Sequence, residues 1–229
     1  AAPSTNYHLR YTSASASSQF VLSRNEVMSV NPVEQPVLDA IANRWSPYRF
    51  EAKEVEDEKL LCLLEAARWA ASSFNDQPWS WIIARRQDHD DFQRMLGCLM
   101  EANRAWASQA GALIVTVIRN SFEYNGKPNR VALHDVGQAA AHLALQAASI
   151  GLQVHQMAGV NLSAIRQEYA VPEGYSPQTA IAIGYPDTSE PVTDPGRELQ
   201  KREEGSRRRK PLRDQVFARS WGSPAEFVN

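Results

Sequence analysis

Three clusters of polar residues carry side chains that could bind a charged or planar ligand. The first lies in the stretch NRWSPYRF, residues 43–50, where a predicted helix ends. A guanidinium donates two parallel, charge-assisted hydrogen bonds, so Arg44 together with Ser46 could hold a phosphate. A solvated helix end, in which an arginine pairs with Glu51 or Glu54, explains the same residues. Taken alone, the local sequence favours this second interpretation.

The second cluster, in AASSFNDQPWSWII, places serine and amide side chains directly before an apolar run. Residue types that cap and turn a helix-to-strand connection occur there at Ser72, Ser73, Asn75 and Gln77. Turn formation does not explain why two tryptophans follow a proline in the same stretch. A planar aromatic ligand would use both features, because its edge takes hydrogen bonds and its face takes apolar surface.

The third cluster is the basic run EEGSRRRKPLRD at residues 203–214. A solvated tail and a phosphate clamp both explain it. Nucleic-acid binding is disfavoured, because aromatic residues are not interleaved and Glu198, Glu203 and Glu204 dilute the positive charge.

The composition indicates a globular chain with an ordinary core. Its 229 residues are 43% hydrophobic and 22% charged, and the formal net charge is -2. This charge gives no overall attraction to nucleic acid, and no apolar stretch reaches the length of a membrane span. The two cysteines, Cys62 and Cys98, show neither a disulfide framework nor metal-ligand spacing. We therefore expect a cytoplasmic protein with no bound metal and no membrane partner.

The first 30 residues differ in composition from the rest of the chain. Residues 1–30 are rich in Ser and Ala and lack the periodicity of a core element. A disordered or non-native tail is the favoured interpretation, although a targeting leader has a similar composition. We expect a single domain over residues 31–229, which ends in a polar arm from about residue 187.

Helical and strand-like segments alternate, which predicts a central sheet covered by helices in an α/β or α+β arrangement. Apolar spacing predicts helices at 33–42, 58–71, 90–101, 130–150 and 162–170. Apolar runs predict strands at 79–84, 112–118, 152–157 and 179–186, and the second of these reads as buried on both faces. Asp57 would cap the second helix, and Gly151 would close the longest one. The segment after residue 186 would have no core of its own.

The order of these motifs along the chain resembles the FMN-dependent nitroreductase family. NRWSPYRF is followed by AARWAASSFNDQPWSWII, NRAWASQAGALIVTVI, GLQVHQMAGV, AIAIGYP and finally RRRKPL, so the similarity covers about residues 35–217. Its most specific parts are the Ser-Ser-x-Asn-x-Gln-Pro-Trp block and the Ala-Ile-Gly-Tyr-Pro ending. The resemblance implies an α+β fold with a central, mainly antiparallel sheet wrapped by helices. It also implies an intertwined homodimer.

The resemblance implies an FMN site assembled from several segments. The matching positions are Arg44, Trp45, Ser46, Tyr48, Ser72, Ser73, Asn75, Asn103, Met157, Ala158, Gly159, Arg207 and Arg209. Arg44 and the two late arginines would hold the phosphate, and Asn103 would bind the pyrimidine edge of the ring. The backbone of residues 157–159 would face flavin N5, and the serine-rich turn would lie against the ring between two subunits.

Two positions depart from the family pattern. Tyr48 stands where the family usually has a Lys or Arg at the N1–C2 edge of the ring, and Trp106 stands where some members have a second Lys. A tyrosine donates only a neutral hydrogen bond, roughly half as strong as a charged one. These departures leave open a flavin-binding regulatory or storage protein without turnover.

The activity implied by the resemblance is a ping-pong reaction. NADH or NADPH would pass a hydride through flavin N5 to a nitroaromatic, a quinone or a similar small-molecule acceptor. The flavin carries this chemistry, so no catalytic side chain is assigned. His134 and His155 could donate protons, but a structural role is favoured for both, since no carboxylate lies at short spacing.

The resemblance also leaves specialised, flavin-fragmenting or dehalogenating activities open. Such enzymes usually carry an additional lid over the substrate, and the segment at residues 119–131, where a lid would lie, is short. We therefore expect an open, permissive site. The segment from Gln215 to Phe217 would add a strand to the sheet of the partner subunit.

Overall fold

A four-stranded antiparallel sheet forms the centre of the computed structural model, which describes residues 31–205 and 207–228. The strands are β1 (Trp79–Arg85), β2 (Ala112–Arg119), β3 (Gln153–Met157) and β4 (Tyr175–Gly184). They lie in the order β1-β2-β4-β3, and all three pairings are antiparallel. The predicted α+β class with an antiparallel sheet is confirmed. The predicted tail at residues 1–30 lies outside the described residues.

Seven α-helices surround the sheet in the described part of the chain. They are α1 (Asp39–Asn43), α2 (Asp57–Arg68), α3 (His89–Gly97), α4 (Glu101–Ala107), α5 (Ala132–Ser149), α6 (Leu162–Glu168) and α7 (Asp194–Gly205). The longest, α5, ends as predicted before Gly151, whose φ of +79° suits a residue without a side chain. Helices α2 and α5 cover one face of the sheet, and α3, α4 and α6 cover the other.

Both faces of β2 are buried, as its continuous apolar run predicts. Leu113 and Val115 belong to the same buried cluster as Met95 of α3. Ile114, which points the opposite way, belongs to a second cluster with Leu143 of α5. Each such side chain contributes about 1.5–3 kcal/mol when it is fully buried. The sheet is therefore a rigid base from which the loops at its edges are positioned.

The alanine-rich face of α5 is buried against α2 of the same chain. Ala140 and Ala144 lie in one buried cluster with Leu60 and Leu63 of α2. Small side chains on one helix let the two helices approach closely.

Two predicted helix boundaries are wrong. In one helix a backbone N–H group bonds to a distant carbonyl, and in the other a proline has no N–H group to donate. The helix predicted at 90–101 is broken between α3 and α4, where Met100 N–H donates to Gly159 O at 3.0 Å. The helix predicted at 33–42 begins only at Asp39, since Pro36 has no N–H and disfavours a helical residue before it.

Asp57 is not the N-cap of α2, which corrects another prediction. It is the first helical residue, and Glu56 occupies the cap position without a side-chain hydrogen bond. The carboxylate of Asp57 instead accepts from Nη1 of Arg85 at 2.8 Å, which ties α2 to β1.

The segment after residue 186, predicted to have no core of its own, folds back onto the body of the chain. It contains α7, and Glu203 of that helix is buried and accepts hydrogen bonds from the backbone N–H groups of Tyr48 and Arg49. Burial raises the pKa of Glu203, although these donors and two nearby arginines act in the opposite direction. Arg49 is itself buried and pairs with Asp187 at 3.1 Å, so a solvated arginine paired with Glu51 or Glu54 is wrong for this residue.

Candidate functional site

A small cationic cleft brings six of the predicted site residues together. Its volume is about 150 Å³. The lining residues are Asn31, Arg44, Trp45, Ser46, Tyr48, His155, Arg207 and Arg209. The first cluster of the sequence and the basic run therefore meet in space, although more than 150 residues separate them along the chain.

The three arginines of this cleft are held close enough to repel one another. Burial lowers the pKa of Arg44, and the positive charges of Arg209 and Arg207 lower it further. Arg44 Nη1 donates to Ser46 Oγ at 3.2 Å, and the Arg207 guanidinium lies over the Trp45 ring at 4.8 Å from its centroid. An anion in the cleft would relieve this repulsion, so the donor set fits a phosphate.

The Tyr48 ring packs against two other rings, those of Trp106 and His155. Trp106, only 3% exposed, packs edge-on against Tyr48 with centroids 5.3 Å apart, and His155 lies 4.5 Å from both rings. Trp106 is thus a core residue that contacts the cleft through Tyr48. It does not occupy the position of a cation within the cleft.

The geometry of His155 indicates which ring nitrogen carries its proton. Nδ1 lies 2.9 Å from Pro47 O, which can only accept, so Nδ1–H donates and Nε2 is left as an acceptor. Burial lowers the pKa of His155; the bond to Pro47 opposes this, and Arg44 lowers the pKa further. The imidazole is therefore neutral at pH 7.

A second group of predicted residues lies at the end of β3, where Asn103 of α4 contacts the turn that follows the strand. Asn103 Nδ2 donates to Gly159 O at 3.1 Å, and an added Cβ at Gly159 would lie 2.4 Å from that nitrogen. A side chain at residue 159 would therefore force the Asn103 amide to move. Met157 ends β3 in the core, and Ala158 connects it to Gly159.

Strand β3 links this second group to the cleft. Gln153 Oε1 accepts from Trp45 N–H at 3.0 Å, and its Nε2 donates to Asn43 O at 3.2 Å. His155 follows two residues later and lines the cleft, and Met157 follows after two more. One strand therefore positions the arginine-bearing loop and the glycine-containing turn together.

The predicted serine turn lies away from the cationic cleft in the structure. Ser72 and Ser73 line a separate pocket of about 240 Å³ with His134 and Asp135. Ser73 N–H donates to Asp135 Oδ2 at 3.2 Å. Asn75 belongs to the same turn. Within one chain, the structure does not bring these residues to the cationic cleft.

The serine turn is strained. Phe74, Asn75 and Gln77 have φ values of 56°, 53° and 46°, a left-handed conformation that costs about 1–2 kcal/mol for a residue with a side chain. Asp76 holds the turn in place. Its carboxylate accepts from Glu123 N–H at 2.8 Å and Asn129 Nδ2 at 3.2 Å, and pairs with Arg119 at 3.0 Å.

We expect that replacing Asp76 with alanine will lower the free energy of unfolding by about 3 kcal/mol, because it leaves Glu123 N–H and the Asn129 amide without their acceptor and Arg119 with Glu123 as its remaining carboxylate partner. The Asp76 side chain is 2% exposed. The melting temperature should fall by about 6–12 °C, as measured by circular dichroism at pH 7. The control is Asp194→Ala, which removes an ion pair whose carboxylate is 94% exposed and should cost less than about 1 kcal/mol.

The same substitution should have a pH-dependent effect. Burial tends to raise the pKa of Asp76, but the donors around it outweigh burial and hold the pKa below its ordinary value. The stabilisation is therefore present above about pH 4 and is lost as the pH falls through the lower, folded-state pKa. A difference between wild type and Asp76→Ala that stayed constant from pH 7 to pH 2 would contradict this assignment.

Three residues at or behind the cleft were not among the predicted residues of the FMN site. Asn31 and Glu203 reach it through tertiary packing, and no local pattern marks them. His155 could have been found, because alternate residues of a strand share a face and Met157 was already assigned. Among the described residues, no helix could cross a membrane, and no group of His, Cys, Asp or Glu is arranged to hold a metal.

Residues 41–185, more than half of the chain, match the Nitroreductase family, and the chain belongs to that family. A solved structure described as an oxidoreductase containing FMN is 32% identical, with a TM-score of 0.77 over 84% of this chain and 96% of that one.

Two curated relatives are similar over shorter stretches. The major NAD(P)H-flavin oxidoreductase of Aliivibrio fischeri is 38% identical over 66 residues, which are 26% of this chain and only 30% of that relative. A Methanothermobacter thermautotrophicus protein, provisionally named NADH dehydrogenase/NAD(P)H nitroreductase, is 28% identical over 157 residues. That match covers 66% of this chain and 77% of the relative.

Proposed function

We propose that this chain is an FMN-dependent oxidoreductase that uses NADH or NADPH to reduce a nitroaromatic, a quinone or a similar electron-poor acceptor. The observation that carries the proposal is the convergence of Arg44, Arg207 and Arg209 on one small cleft. Membership of the nitroreductase family and the FMN in a similar solved structure support the cofactor. The names of the curated relatives support an NAD(P)H-dependent oxidoreductase.

The residues present fit FMN. Three guanidiniums would hold one phosphate, and each charge-assisted contact contributes about 1.5–3 kcal/mol. Asn103 fixes the carbonyl of Gly159, which follows β3. When bound, FMN would supply a hydride acceptor at N5, so that the reductant and the acceptor take turns at one site. The chain's own residues then bind and orient, and none needs to act as an acid or base.

A homodimer is part of this proposal. The serine turn and the cationic cleft are separate within one chain, and a second copy would bring its turn to the cleft of the first. An arm that reaches the partner subunit from about residue 187 also stays a proposal. In this chain the arm includes α7, and Phe217 pairs with Pro224 of the same chain. We further propose a cytoplasmic location.

A permissive acceptor site is supported by the short segment at residues 119–131. Asp76 binds this segment, and Phe122 and Tyr124 pack on Phe74 with ring centroids 5.8 and 5.2 Å apart. The segment is thus held on the serine turn of its own chain and is not extended as a lid. Broad activity toward quinones and nitroaromatics follows from an uncovered site.

A flavin-binding protein without turnover is the second candidate, because Tyr48 lines the cleft where the family usually has a cation. One experiment separates the two. The purified chain is mixed with NADPH and then NADH without oxygen, and its visible spectrum is recorded. A yellow protein whose flavin bands bleach within seconds, and return on adding a quinone, supports the oxidoreductase. Bound flavin that neither nucleotide bleaches supports the second candidate, and failure to take up FMN contradicts both.

A further inference from the structure

The two walls of the cationic cleft come from distant parts of the chain. The first wall carries Arg44, Ser46 and Tyr48, and the second carries Arg207 and Arg209. Like charges face each other across the cleft, since the positive charges of Arg209 and Arg207 add to burial in lowering the pKa of Arg44. An attraction between the two segments must offset this repulsion.

Glu203 of α7 provides such an attraction. Its side chain is buried, and Oε1 accepts from Tyr48 N–H at 2.5 Å and from Arg49 N–H at 2.9 Å. Burial raises the pKa of Glu203, and these two donors and the positive charges of Arg49 and Arg207 lower it. The carboxylate is therefore bound to the backbone of the first wall and attracts an arginine of the second.

The helix that carries Glu203 has few other contacts that could fix its position. Glu203 is the only buried residue of α7, all of whose residues are described. Leu199, four positions earlier and on the same side of the helix, packs against a buried cluster beside the sheet. The rest of α7 is mostly exposed, and an isolated helix of 12 residues is marginal in water. The position of α7 therefore depends mainly on these two residues.

The chain between Glu203 and the arginines of the second wall is short. Four residues separate Glu203 from Arg207, and four residues span at most about 14 Å. A fixed Glu203 therefore keeps Arg207 and Arg209 near the first wall. The Arg207 guanidinium then lies over the Trp45 ring, at 4.8 Å from its centroid.

We propose that Glu203 is a positioning residue that joins the two walls of the cleft, so that Arg207 and Arg209 face Arg44 while the carboxylate is bound to residues 48 and 49. Glu203 does not touch the ligand and acts through the two arginines. This inference rests on the proposed function, because it takes the phosphate of FMN as the group that the arginines bind.

The test compares FMN with riboflavin, which has the same ring and ribityl chain but no phosphate. Both affinities are measured on the full-length protein, freed of flavin, by quenching of flavin fluorescence. Glu203→Ala should weaken FMN binding by about 10- to 150-fold, the equivalent of one charge-assisted contact to the phosphate. Riboflavin binding should change less than about twofold, whereas general damage to the structure would weaken both flavins. Glu203→Gln keeps an acceptor oxygen and should fall between wild type and Glu203→Ala.

Two controls separate positioning from charge. Glu204→Ala is the matched control, because Glu204 is the exposed neighbour and its carboxylate also acts on Arg207. FMN affinity should change less than about twofold in this variant. The second control adds Glu203→Ala to Arg207→Ala/Arg209→Ala. It should weaken FMN binding less than about twofold further, because the residues through which Glu203 acts are already absent.

Several results would overturn the inference and leave the proposed function standing. Equal weakening of FMN and riboflavin in Glu203→Ala would reduce Glu203 to general support of the fold. Equal effects of Glu203→Ala and Glu204→Ala would assign the change to net charge. A full effect of Glu203→Ala without the two arginines, or no effect on FMN in their presence, would show that it does not act through them. Failure of the wild-type chain to bind either flavin would overturn the proposed function, and this inference with it.

Discussion

Replacing Arg44 with alanine will weaken FMN binding by about 10- to 150-fold, as measured by quenching of flavin fluorescence on titration. This range follows from the loss of one charge-assisted contact to the phosphate. Arg44 is half-buried and points into a cleft of about 150 Å³, so water cannot easily replace its guanidinium. Arg44→Lys should fall between wild type and Arg44→Ala, because it keeps the charge but loses the paired donors.

The matched control is Arg202→Ala. Arg202 lies on α7, and its side chain is 55% exposed and 4.0 Å from Glu198. FMN affinity should change less than about twofold in this variant. If both variants lost affinity equally, general charge would be responsible, and the cleft would not be the phosphate site. If neither did, the flavin phosphate would bind elsewhere.

The parts of the cleft that could be predicted from the sequence are those whose interacting residues lie close together along the chain. Arg44 and Ser46 are two residues apart on one loop, and Arg44 Nη1 reaches Ser46 Oγ within that loop. Arg207 and Arg209 are two residues apart in the basic run, and both line the cleft. Their meeting with Arg44 does not follow from local spacing, and it was predicted only through the order of motifs.

The parts that could not be predicted depend on contacts between distant segments. The break between α3 and α4 exists because Met100 donates to Gly159, and helical periodicity contains no sign of that bond. Glu203 looks like one of many solvated charges in a polar helix. Its burial follows from two backbone N–H groups at residues 48 and 49 that need an acceptor.

The serine turn contains one feature that could be predicted from the sequence and one that could not. Ser and Asn correctly predicted a turn between α2 and β1. The left-handed conformation of Phe74 and Gln77 could not be predicted, because neither residue type favours it. The conformation persists because Asp76 is bound on several sides, by residues that follow it by 43 to 53 positions. Such strain is often found at functional sites, which is consistent with a role in binding.

If the cleft of one chain and the serine turn of another form a single site, two inactive variants will restore activity when they are co-expressed. Arg44→Glu removes the phosphate site, and Ser73→Trp fills the turn, where Ser73 N–H can still donate to Asp135. Random pairing makes half of the dimers mixed, and each mixed dimer contains one intact site. We therefore expect roughly one quarter of the wild-type flavin content and activity.

The control pair is Arg44→Glu with Arg209→Glu. Both residues line the same cleft of one chain, so every site in a mixed dimer keeps one damaged cleft and no activity should return. Separate affinity tags on the two chains allow the mixed dimers to be isolated and their flavin counted. Restoration in the first pair alone would mean that each site uses two chains, because only then does mixing separate the two defects. No restoration in isolated mixed dimers of either pair would contradict a shared site, since a site contained in one chain cannot be repaired by its partner.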